Sequence, residues 1–319
     1  MAFKLNKKWY SSEEYGLPDK NEGFTAGIAN ICPQTGHLFA NQERMIDALD
    51  IFSAEGVNLA LFPEYGLSGA FWDDRERCAA HMADATLDRI LPWLEEKVRP
   101  YINDTLKYVV VNGPVPDGSG KFYNTTLVMD SSGASLSHDQ TYKKKFLPGA
   151  EKEHIVSGLD DFLVLDTQWG RMGFLTCYDI CFPQPLTDLV YNRGIDILVV
   201  PAAWRRQGVR AYSGMGIHDS EFYHRQWEIL LPALATQYQI WILAANGIGP
   251  HAKPNTAYCG RSGIWSPSGI NLILGSDLEE ELLILKNIDI QTALKVERAD
   301  FGCVEDYQKV QQALEEKSS

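Results

Sequence analysis

The sequence predicts an α/β fold in which mixed β-sheets are covered by helices. Short apolar runs of the buried-strand type are followed by amphipathic helical segments, and this order repeats along the chain. Further apolar runs come in pairs separated by turn residues, as in hairpins. Strand–helix–strand repetition followed by hairpins is typical of mixed sheets packed under helices. With 319 residues, 45% of them hydrophobic and 22% charged, the chain can bury a sizeable core in one large domain.

The predicted elements begin with a strand over residues 24–31. Residues 38–55 place Met45, Leu49 and Phe52 on one face of a helix, and residues 59–62 return as a buried strand. The elements predicted beyond this point are a helix over 85–98, strands over 108–112, 125–129, 162–165 and 172–176, a helix over 186–192, a strand over 196–200, a helix over 219–238, a strand over 240–244 and a short polar helix over 306–319.

Cys177 lies where the strand over residues 172–176 meets a turn that begins a helix. A thiol at the carboxyl end of a strand, facing the free backbone N–H groups of a helix start, is placed to act as a thiolate nucleophile. A cysteine beside an apolar strand is more often a packing residue. Ionisable residues at two other strand ends favour the catalytic interpretation.

Glu64 follows the strand over residues 59–62 and Pro63, so it lies at the carboxyl tip of a buried strand. A poorly hydrated carboxylate suits a general base, while an ordinary loop glutamate is the alternative. The lysines at 143–145 resemble a solvated basic patch. In an extended segment alternate residues face opposite ways, however, so one lysine can point inward and stabilise an oxyanion.

These three segments, in this order, resemble the nitrilase, or carbon–nitrogen hydrolase, superfamily. The resemblance implies a catalytic triad of Glu64 in Phe-Pro-Glu, Lys144 in Tyr-Lys-Lys and Cys177 in Cys-Tyr-Asp-x-x-Phe-Pro. It also implies a four-layer α-β-β-α sandwich. The similarity includes the segments at 122–125, 201–204, 227–228, 244–246 and 260–269. On this basis we expect an N-terminal extension over 1–22, the hydrolase domain over 23–290 and a C-terminal tail over 291–319 that reaches a subunit interface.

The resemblance implies a thioester mechanism. Glu64 takes the proton of Cys177 as the sulfur attacks a carbonyl carbon, and Lys144 with the backbone N–H of Tyr178 holds the oxyanion. A second glutamate, matched by Glu151, fixes the substrate or water. Water that Glu64 activates then hydrolyses the thioester.

The residues after the nucleophile bear on substrate choice. Tyr178 and Asp179 resemble amidases and carbamoyl-amide hydrolases, whereas nitrilases usually carry Trp-Glu there, so an amide or carbamoyl amide of a small molecule is favoured over a nitrile. Residues 144–151 and the Ser-Gly-Ile-Trp-x-Pro segment also look like the pantetheinase–biotinidase branch. Aromatic or imidazole side chains near strand ends are candidates for the substrate pocket, although aromatics there more often belong to the core: Tyr65, Phe71, Trp72, Tyr123, Trp204 and His218.

Charge and composition limit the partners. The net charge of −13 opposes binding to nucleic acid or to an anionic membrane surface. No apolar run reaches membrane-spanning length and the first residues lack a secretory signal, so a cytoplasmic protein is expected. The six scattered cysteines are expected to be free thiols, with no metal and no cofactor. The family resemblance suggests a homodimer or a larger even assembly.

Other interpretations stay open from the sequence alone. Besides a nitrilase, the chain could be a Cys–His hydrolase that uses His154, His218 or His224, or a non-catalytic binding protein on the same fold. It could also be a thiol redox protein that uses Cys177 with Cys181. The glycine-rich stretch over 207–218 either shapes substrate entry or is a variable surface loop.

Overall fold

Two large β-sheets and one short hairpin hold the strands of the computed structural model, which describes residues 3–9, 23–70, 74–253 and 255–318. Within these ranges the strands are β1 Lys4–Trp9, β2 Phe24–Asn30, β3 Leu59–Leu61, β4 Tyr108–Pro116, β5 Phe122–Met129, β6 Thr141–Lys143, β7 Ile155–Val156, β8 Val164–Thr167, β9 Gly170–Phe174, β10 Ile197–Ala202, β11 Arg210–Tyr212, β12 Ile217–Asp219, β13 Trp241–Asn246, β14 Gly263–Trp265, β15 Asn271–Leu274 and β16 Glu281–Ile288. The α-helices are α1 Leu38–Ala54, α2 Arg75–Asp84, α3 Leu87–Trp93, α4 Pro183–Thr187, α5 Phe222–Tyr238, α6 Ile290–Asp300 and α7 Cys303–Ser318.

The strand order of each sheet shows how the chain is wound. Among the described strands, the first sheet runs β1-β16-β2-β3-β4-β5-β6, with β7 paired to β5, and the second runs β15-β14-β13-β10-β9-β8. The pairs β2–β3 and β3–β4 are parallel in the first sheet, as are β9–β10 and β10–β13 in the second. The hairpins add antiparallel strands at the edges, so both sheets are mixed as predicted.

Alternation along the central strands divides the core into two layers. In β3, Leu59 and Leu61 pack between the sheets with β9 and β10 side chains such as Phe174. Ala60 faces the other way and packs under α1 and α3 with side chains such as Phe52. The helix α5 covers the far face of the second sheet through Trp227, Leu231 and Ala235, which are continuous with the core of that sheet. The layers are therefore helix, sheet, sheet and helix, and the predicted four-layer α-β-β-α sandwich is confirmed.

Two predicted helices are interrupted, the first of them at a proline. The helix expected over 85–98 is α3, which contains Pro92 and continues as a π-helical turn at Leu94–Val98. A proline inside a helix has no N–H to donate to the preceding turn, and its ring crowds that carbonyl. The helix expected over 186–192 is α4 followed by a second π-helical turn at Asp188–Asn192.

Some elements were not predicted. The first described residues form β1, which pairs in parallel with β16, so part of the expected N-terminal extension belongs to the first sheet. The stretch expected as an irregular loop over 207–218 contains the exposed hairpin β11–β12. At the other end the helix α6 was not predicted, whereas α7 agrees with the helix predicted over 306–319, and its Tyr307 stacks on Tyr191, with ring centroids 3.9 Å apart. Within the part of the chain that the structure describes, no helix combines the length and apolar composition needed to cross a membrane.

Candidate active site

Glu64 is held where the two sheets meet. The strand β3 ends at Leu61, and the backbone N–H of Glu64 donates to the carbonyl of Ala202 at the end of β10, at 3.2 Å. Tyr65 then adopts a positive φ of 55°, a conformation that non-glycine residues rarely take, and its N–H donates to Asn112 Oδ1 at 2.9 Å. This tight turn brings the Glu64 carboxyl group into the interior, where the residue is only 1% exposed.

Lys144 is the lysine of its run that points inward. It follows β6, its N–H donates to the carbonyl of Asn124, and the side chain is 1% exposed. Its neighbours face outward: Lys143 pairs with the exposed Asp160 at 2.6 Å, and the ammonium of Lys145 contacts the carbonyl of the same aspartate. The alternation expected of an extended segment therefore selects Lys144.

Cys177 begins a 3-10 turn directly after the segment that leaves β9. The residue is 7% exposed and has a φ of 50°. For a residue other than glycine this backbone costs about 1–3 kcal/mol and persists only when the surroundings enforce it. The surroundings here are a capping box, in which Thr176 accepts from the Asp179 N–H and the Asp179 carboxylate accepts from the Thr176 N–H. The strained turn directs the thiol toward Glu64.

A single ammonium joins two buried carboxylates. Lys144 Nζ lies 2.9 Å from Oε1 of Glu64 and 2.7 Å from Oε2 of Glu151, and Glu151 is 2% exposed. The amide nitrogen of Asn124 donates to Oε1 of Glu64 at 2.6 Å and to Oε1 of Glu151 at 2.8 Å. The hydroxyl group of Tyr65 adds a bond to Glu151 at 3.1 Å. Every charge in this cluster is therefore matched by a donor or a counter-charge, as buried ions require.

The second oxygen of Glu64 reaches the thiol. Oε2 accepts the backbone N–H of Ala203 at 2.7 Å. The Cys177 thiol contacts both the Glu64 carboxylate and the Ala203 backbone, and the charge of Lys144 also acts on it. The acid, the ammonium and the sulfur therefore share one interior site, although their positions in the sequence are 80 and 33 residues apart.

The protonation states follow from burial and charge. Burial raises the pKa of the Cys177 thiol well above its usual range, the charge of Glu64 adds to this effect, and Lys144 opposes it. Burial alone would lower the pKa of Lys144, but the charges of Glu151 and Glu64 outweigh it, so the pKa is raised and the ammonium stays charged. Burial also raises the pKa of Glu151, against the opposing charge of Lys144. The resting site therefore holds a neutral thiol beside a charged lysine.

Asp179 ties the cysteine turn to the lysine segment. Its carboxylate accepts the N–H of Phe146 at 2.8 Å, the N–H of Lys145 at 3.2 Å and the hydroxyl group of Tyr142 at 2.8 Å, in addition to the Thr176 N–H. Burial raises the pKa of this carboxyl group to about 6, although the charge of Lys144 and the donors of Phe146, Tyr142 and Thr176 oppose the shift. Asp179 thereby fixes the distance between the two segments that carry Lys144 and Cys177.

A buried amide network supports the carboxylates from behind. Asn112 donates to Oδ1 of Asn124 at 2.9 Å and to the Thr126 hydroxyl at 3.0 Å, and Thr126 bonds in turn to Thr176 at 2.9 Å. The network runs from the Tyr65 turn to the residue before Cys177. It orients the Asn124 amide so that its nitrogen faces both carboxylates.

A cavity of about 290 Å³ opens onto this cluster. Its lining includes Glu64, Lys144, Glu151 and Cys177, together with Tyr65. Three basic residues also line it: Arg205, His251 and Lys253. This volume suits a small molecule, and the residues described contain no group of three or more His, Cys, Asp or Glu side chains arranged to hold a metal ion.

The structure brings together only part of the predicted pocket. Tyr65 lines the cavity, whereas Tyr123, Trp204 and His218 are not among its lining residues. Tyr123 points away because the next residue of β5, Asn124, faces the site, and its ring packs against Lys143 instead. Trp204 is a core residue whose indole N–H donates to the carbonyl of Tyr223 at 2.8 Å. His218 is exposed on the β11–β12 hairpin.

The remaining predicted residues also have defined places. Phe71 and Trp72 lie outside the described residues. Tyr178 follows Cys177 in the 3-10 turn, and its ring packs edge-on against Phe182. The histidines considered for a Cys–His pair, His154, His218 and His224, do not line the described cavity.

Sequence reasoning missed several residues of the site. Asn124 is part of the Phe-Tyr-Asn-Thr segment, which was used only as evidence of family similarity. Its place on the inward face of β5 is the feature that could have identified it as a site residue. Ala203 acts through its backbone, which no side-chain pattern reveals. The basic residues Arg205, His251 and Lys253 reach the cavity from loops whose course periodicity does not predict.

Comparison with known proteins identifies the family of the chain. The family model for carbon–nitrogen hydrolases matches residues 25–297. The chain belongs to the carbon–nitrogen hydrolase family. The matched range includes Glu64, Lys144 and Cys177 but not β1, and the resemblance inferred from three chain segments is confirmed.

Curated relatives within the family match over part of their length. The chain is 29% identical over 183 residues to a deaminated glutathione amidase of Dictyostelium discoideum, covering 54% of this chain and 55% of that protein. It is 28% identical over 188 residues to an omega-amidase of Xenopus laevis, covering 57% and 62%. It is 35% identical over 200 residues to a pantetheinase of Mus musculus, covering 51% and 36%. The matched stretch thus spans between about a third and three-fifths of these relatives.

Solved structures of the family show the same fold. An amidase mutant from Nesterenkonia sp. AN1 superposes with a TM-score of 0.67 at 22% identity, covering 90% of this chain and 98% of that one. The untagged form of that amidase gives a TM-score of 0.64 at 24% identity, covering 88% and 98%. At this level of identity the likeness concerns the fold.

Proposed function

We propose that the protein hydrolyses a non-peptide C–N bond, that of an amide or carbamoyl amide of a small molecule, through a thioester on Cys177. The observation that carries the proposal is the Glu64–Lys144–Glu151 cluster, buried in one cavity with a thiol. Perturbed ionisable groups collected in a cleft are typical of catalytic sites. Two of the relatives named above are amidases by name, which agrees with this class of reaction.

Acylation begins with transfer of the thiol proton to Glu64. Because the neutral thiol is favoured at rest, the proton leaves as the sulfur attacks the carbonyl carbon, and Glu64 acts as a general base. The resulting oxyanion lies near the Lys144 ammonium and the Tyr178 N–H, where one well-placed donor supplies about 3 kcal/mol. When the C–N bond breaks, Glu64 returns the proton to the departing amine.

Deacylation repeats the chemistry with water. Glu64 takes a proton from water as the water oxygen attacks the thioester carbon, and it returns that proton to the departing sulfur. Glu151 assists by accepting a hydrogen bond from the amide group of the substrate or from this water. Lys144 stays charged in both steps, since the two carboxylates raise its pKa. The sum is amide plus water giving acid plus amine or ammonia.

The geometry of the site supports the alternative functions less well. A nitrile could occupy the same cavity. The Tyr178-Asp179 pair after the nucleophile, however, resembles the sequence of amidases, whereas nitrilases usually carry Trp-Glu there. A Cys–His hydrolase needs an imidazole that contacts Cys177. His154, His218 and His224 do not line the described cavity, and although His251 does, the thiol contacts the Glu64 carboxylate. A non-catalytic binding protein would have no need of a buried, strained cysteine. A redox pair of Cys177 and Cys181 would leave the Glu–Lys cluster without a purpose.

The organisation around the domain is proposed on the same family basis. We assign residues 23–290 to the hydrolase domain and 291–319 to a tail at a subunit interface, with residues 1–22 as an extension that contributes β1. A homodimer or larger even assembly and a cytoplasmic location remain predictions.

Turnover of a panel of amides, carbamoyl amines and nitriles tests the proposal. We expect the wild-type protein and Cys181→Ala to release amine or ammonia from at least one amide or carbamoyl amine, and Cys177→Ala to release none. Cys181 is the matched control because it occupies the same turn and lies outside the cavity lining. Equal activity of Cys177→Ala, or activity on nitriles alone, would contradict the proposal.

A further inference from the structure

The entrance of the cavity carries basic side chains that the proposed chemistry does not use. Arg205, His251 and Lys253 line it together with the catalytic cluster. His251 and Lys253 also line an adjoining cleft of about 710 Å³, which places them on the way in from solvent. His251 and Lys253 therefore lie between this cleft and the catalytic cluster, and Arg205 shares the cavity wall with them.

The surroundings of Arg205 differ from those of its neighbour in the chain. Arg206 is neutralised by Glu221 and Asp277, both at 3.1 Å. The guanidinium group of Arg205 lies 5.4 Å from the ring centroid of Tyr223, and no acidic residue of the described chain forms an ion pair with it. Since Arg205 is half-buried, its charge is partly removed from water, and the described residues supply no anion to match it.

The charge balance of the whole chain makes this cluster unusual. A protein of net charge −13 has acidic groups in excess, yet three basic residues besides Lys144, and only two acidic ones, line this cavity. The floor of the cavity carries two carboxylates against one ammonium. Without the basic groups at the entrance, the floor would repel an anionic substrate, and a neutral substrate would not need them.

We infer that the substrate carries a carboxylate group away from the scissile C–N bond, and that Arg205 binds this carboxylate at the cavity entrance with Lys253 beside it. The planar guanidinium group supplies paired N–H donors that match the two oxygens of a carboxylate. The inference rests on the proposed hydrolase function and specifies its substrate class.

Matched substrate pairs test the inference by turnover. Glutaramate and pentanamide carry the amide on the same chain length with and without a carboxylate, and N-acetyl-β-alanine and N-acetylpropylamine do so on the amine side. We expect the wild-type kcat/KM to favour the carboxylate member of at least one pair by roughly tenfold or more, mainly through KM. Arg205→Gln should lower that ratio by roughly tenfold.

Arg210→Gln is the matched control. Arg210 also lies over the Tyr223 ring, at 5.6 Å, but is not part of the cavity lining, so the ratio should stay as in the wild-type protein. Equal kcat/KM within both pairs, or an unchanged ratio in Arg205→Gln, would overturn the inference while leaving the hydrolase function intact.

A binding measurement separates the inference from the hydrolase function. Glutarate should slow the alkylation of Cys177 by iodoacetamide in the wild-type protein and in Arg210→Gln, and should do so at least roughly tenfold more weakly in Arg205→Gln. Peptide fragmentation distinguishes Cys177 from Cys181. Protection without any turnover would contradict the proposed function and keep the anion site. Protection that is absent, or equal in all three proteins, would overturn the anion site.

Discussion

The ammonium of Lys144 lies 2.9 Å from the carboxylate of Glu64, and both side chains are only 1% exposed. Such a pair is not kept for stability, because burying two charges costs about as much as their attraction returns. Its position beside Cys177 fits the proposed chemistry. In the proposed mechanism the pair holds a base and an oxyanion donor in fixed relation to the thiol, so no reorganisation is needed when charge develops during the reaction.

Removing the shared ammonium should destabilise the fold strongly. In Lys144→Met the carboxylates of Glu64 and Glu151 are left buried together without a counter-charge, and we expect the free energy of unfolding to fall by about 3–5 kcal/mol. Urea denaturation at neutral pH measures this change. Lys143→Met is the matched control: its partner Asp160 is 53% exposed, so the expected cost is below about 1 kcal/mol. Similar costs for the two variants would show that Lys144 is not the counter-ion of the site.

Asn124 should act as a positioning residue that also sets protonation. Its hydrogen bond lowers the pKa of Glu151, against the larger effect of burial, so Asn124→Ala should raise that pKa further. The acidic limb of the pH profile of kcat/KM should therefore move to higher pH. The control is Asn30→Ala, an equally buried amide that bonds to Ser276 and Ser262. A uniform loss of activity with the limb unmoved would indicate a merely structural role.

The sequence was sufficient for the parts of the site that depend on strand ends. Glu64 and Cys177 follow non-alternating apolar runs, and such runs predict buried strands whose carboxyl ends carry function. The choice of Lys144 among three lysines required the alternation of an extended segment and the family resemblance. The alternation is visible in the ion pair of Lys143 with Asp160 and in the burial of Lys144.

The remaining features depend on contacts that no local pattern encodes. The β1–β16 pairing joins residues 277 positions apart. The stacking of the two sheets likewise depends on contacts between distant parts of the chain. Trp204 was expected in the pocket because aromatic residues occur both in cores and in sites, and only packing separates the two. Arg205 was not predicted as a pocket residue because the loop that carries it has no hydrophobic periodicity.

Asp179 should make stability depend on pH in a defined direction. Burial raises its pKa in the folded protein to about 6, from 3.8, so the folded state binds the proton more tightly than the unfolded state does. Its contribution to the free energy of unfolding should be fully present below about pH 4 and should fall by about 3 kcal/mol as the pH rises through 6.

Asp179→Asn removes this titration. Denaturation of the wild-type protein and of this variant between pH 4 and 7 should give a stability difference that shifts in favour of the variant as the pH rises. Other titrating groups are common to both proteins and cancel in the difference. A difference that is constant across this range, or that shifts in favour of the wild-type protein, would contradict the assigned protonation of Asp179.

The most direct test of the account is the mass of the protein during turnover in the Glu64→Gln variant. Glutamine keeps the size of the side chain but accepts a proton neither from the thiol nor from water, so acylation and deacylation should both slow. An activated ester of the acid that the amide substrate releases, whose better leaving group favours acylation, should therefore leave the acyl group on Cys177. Intact mass followed by peptide fragmentation should show one added acyl group, located on Cys177 and absent from the Cys177→Ala variant. An acyl group on another residue, or hydrolysis of the same amide without dependence on Cys177 or Glu64, would contradict the central claim.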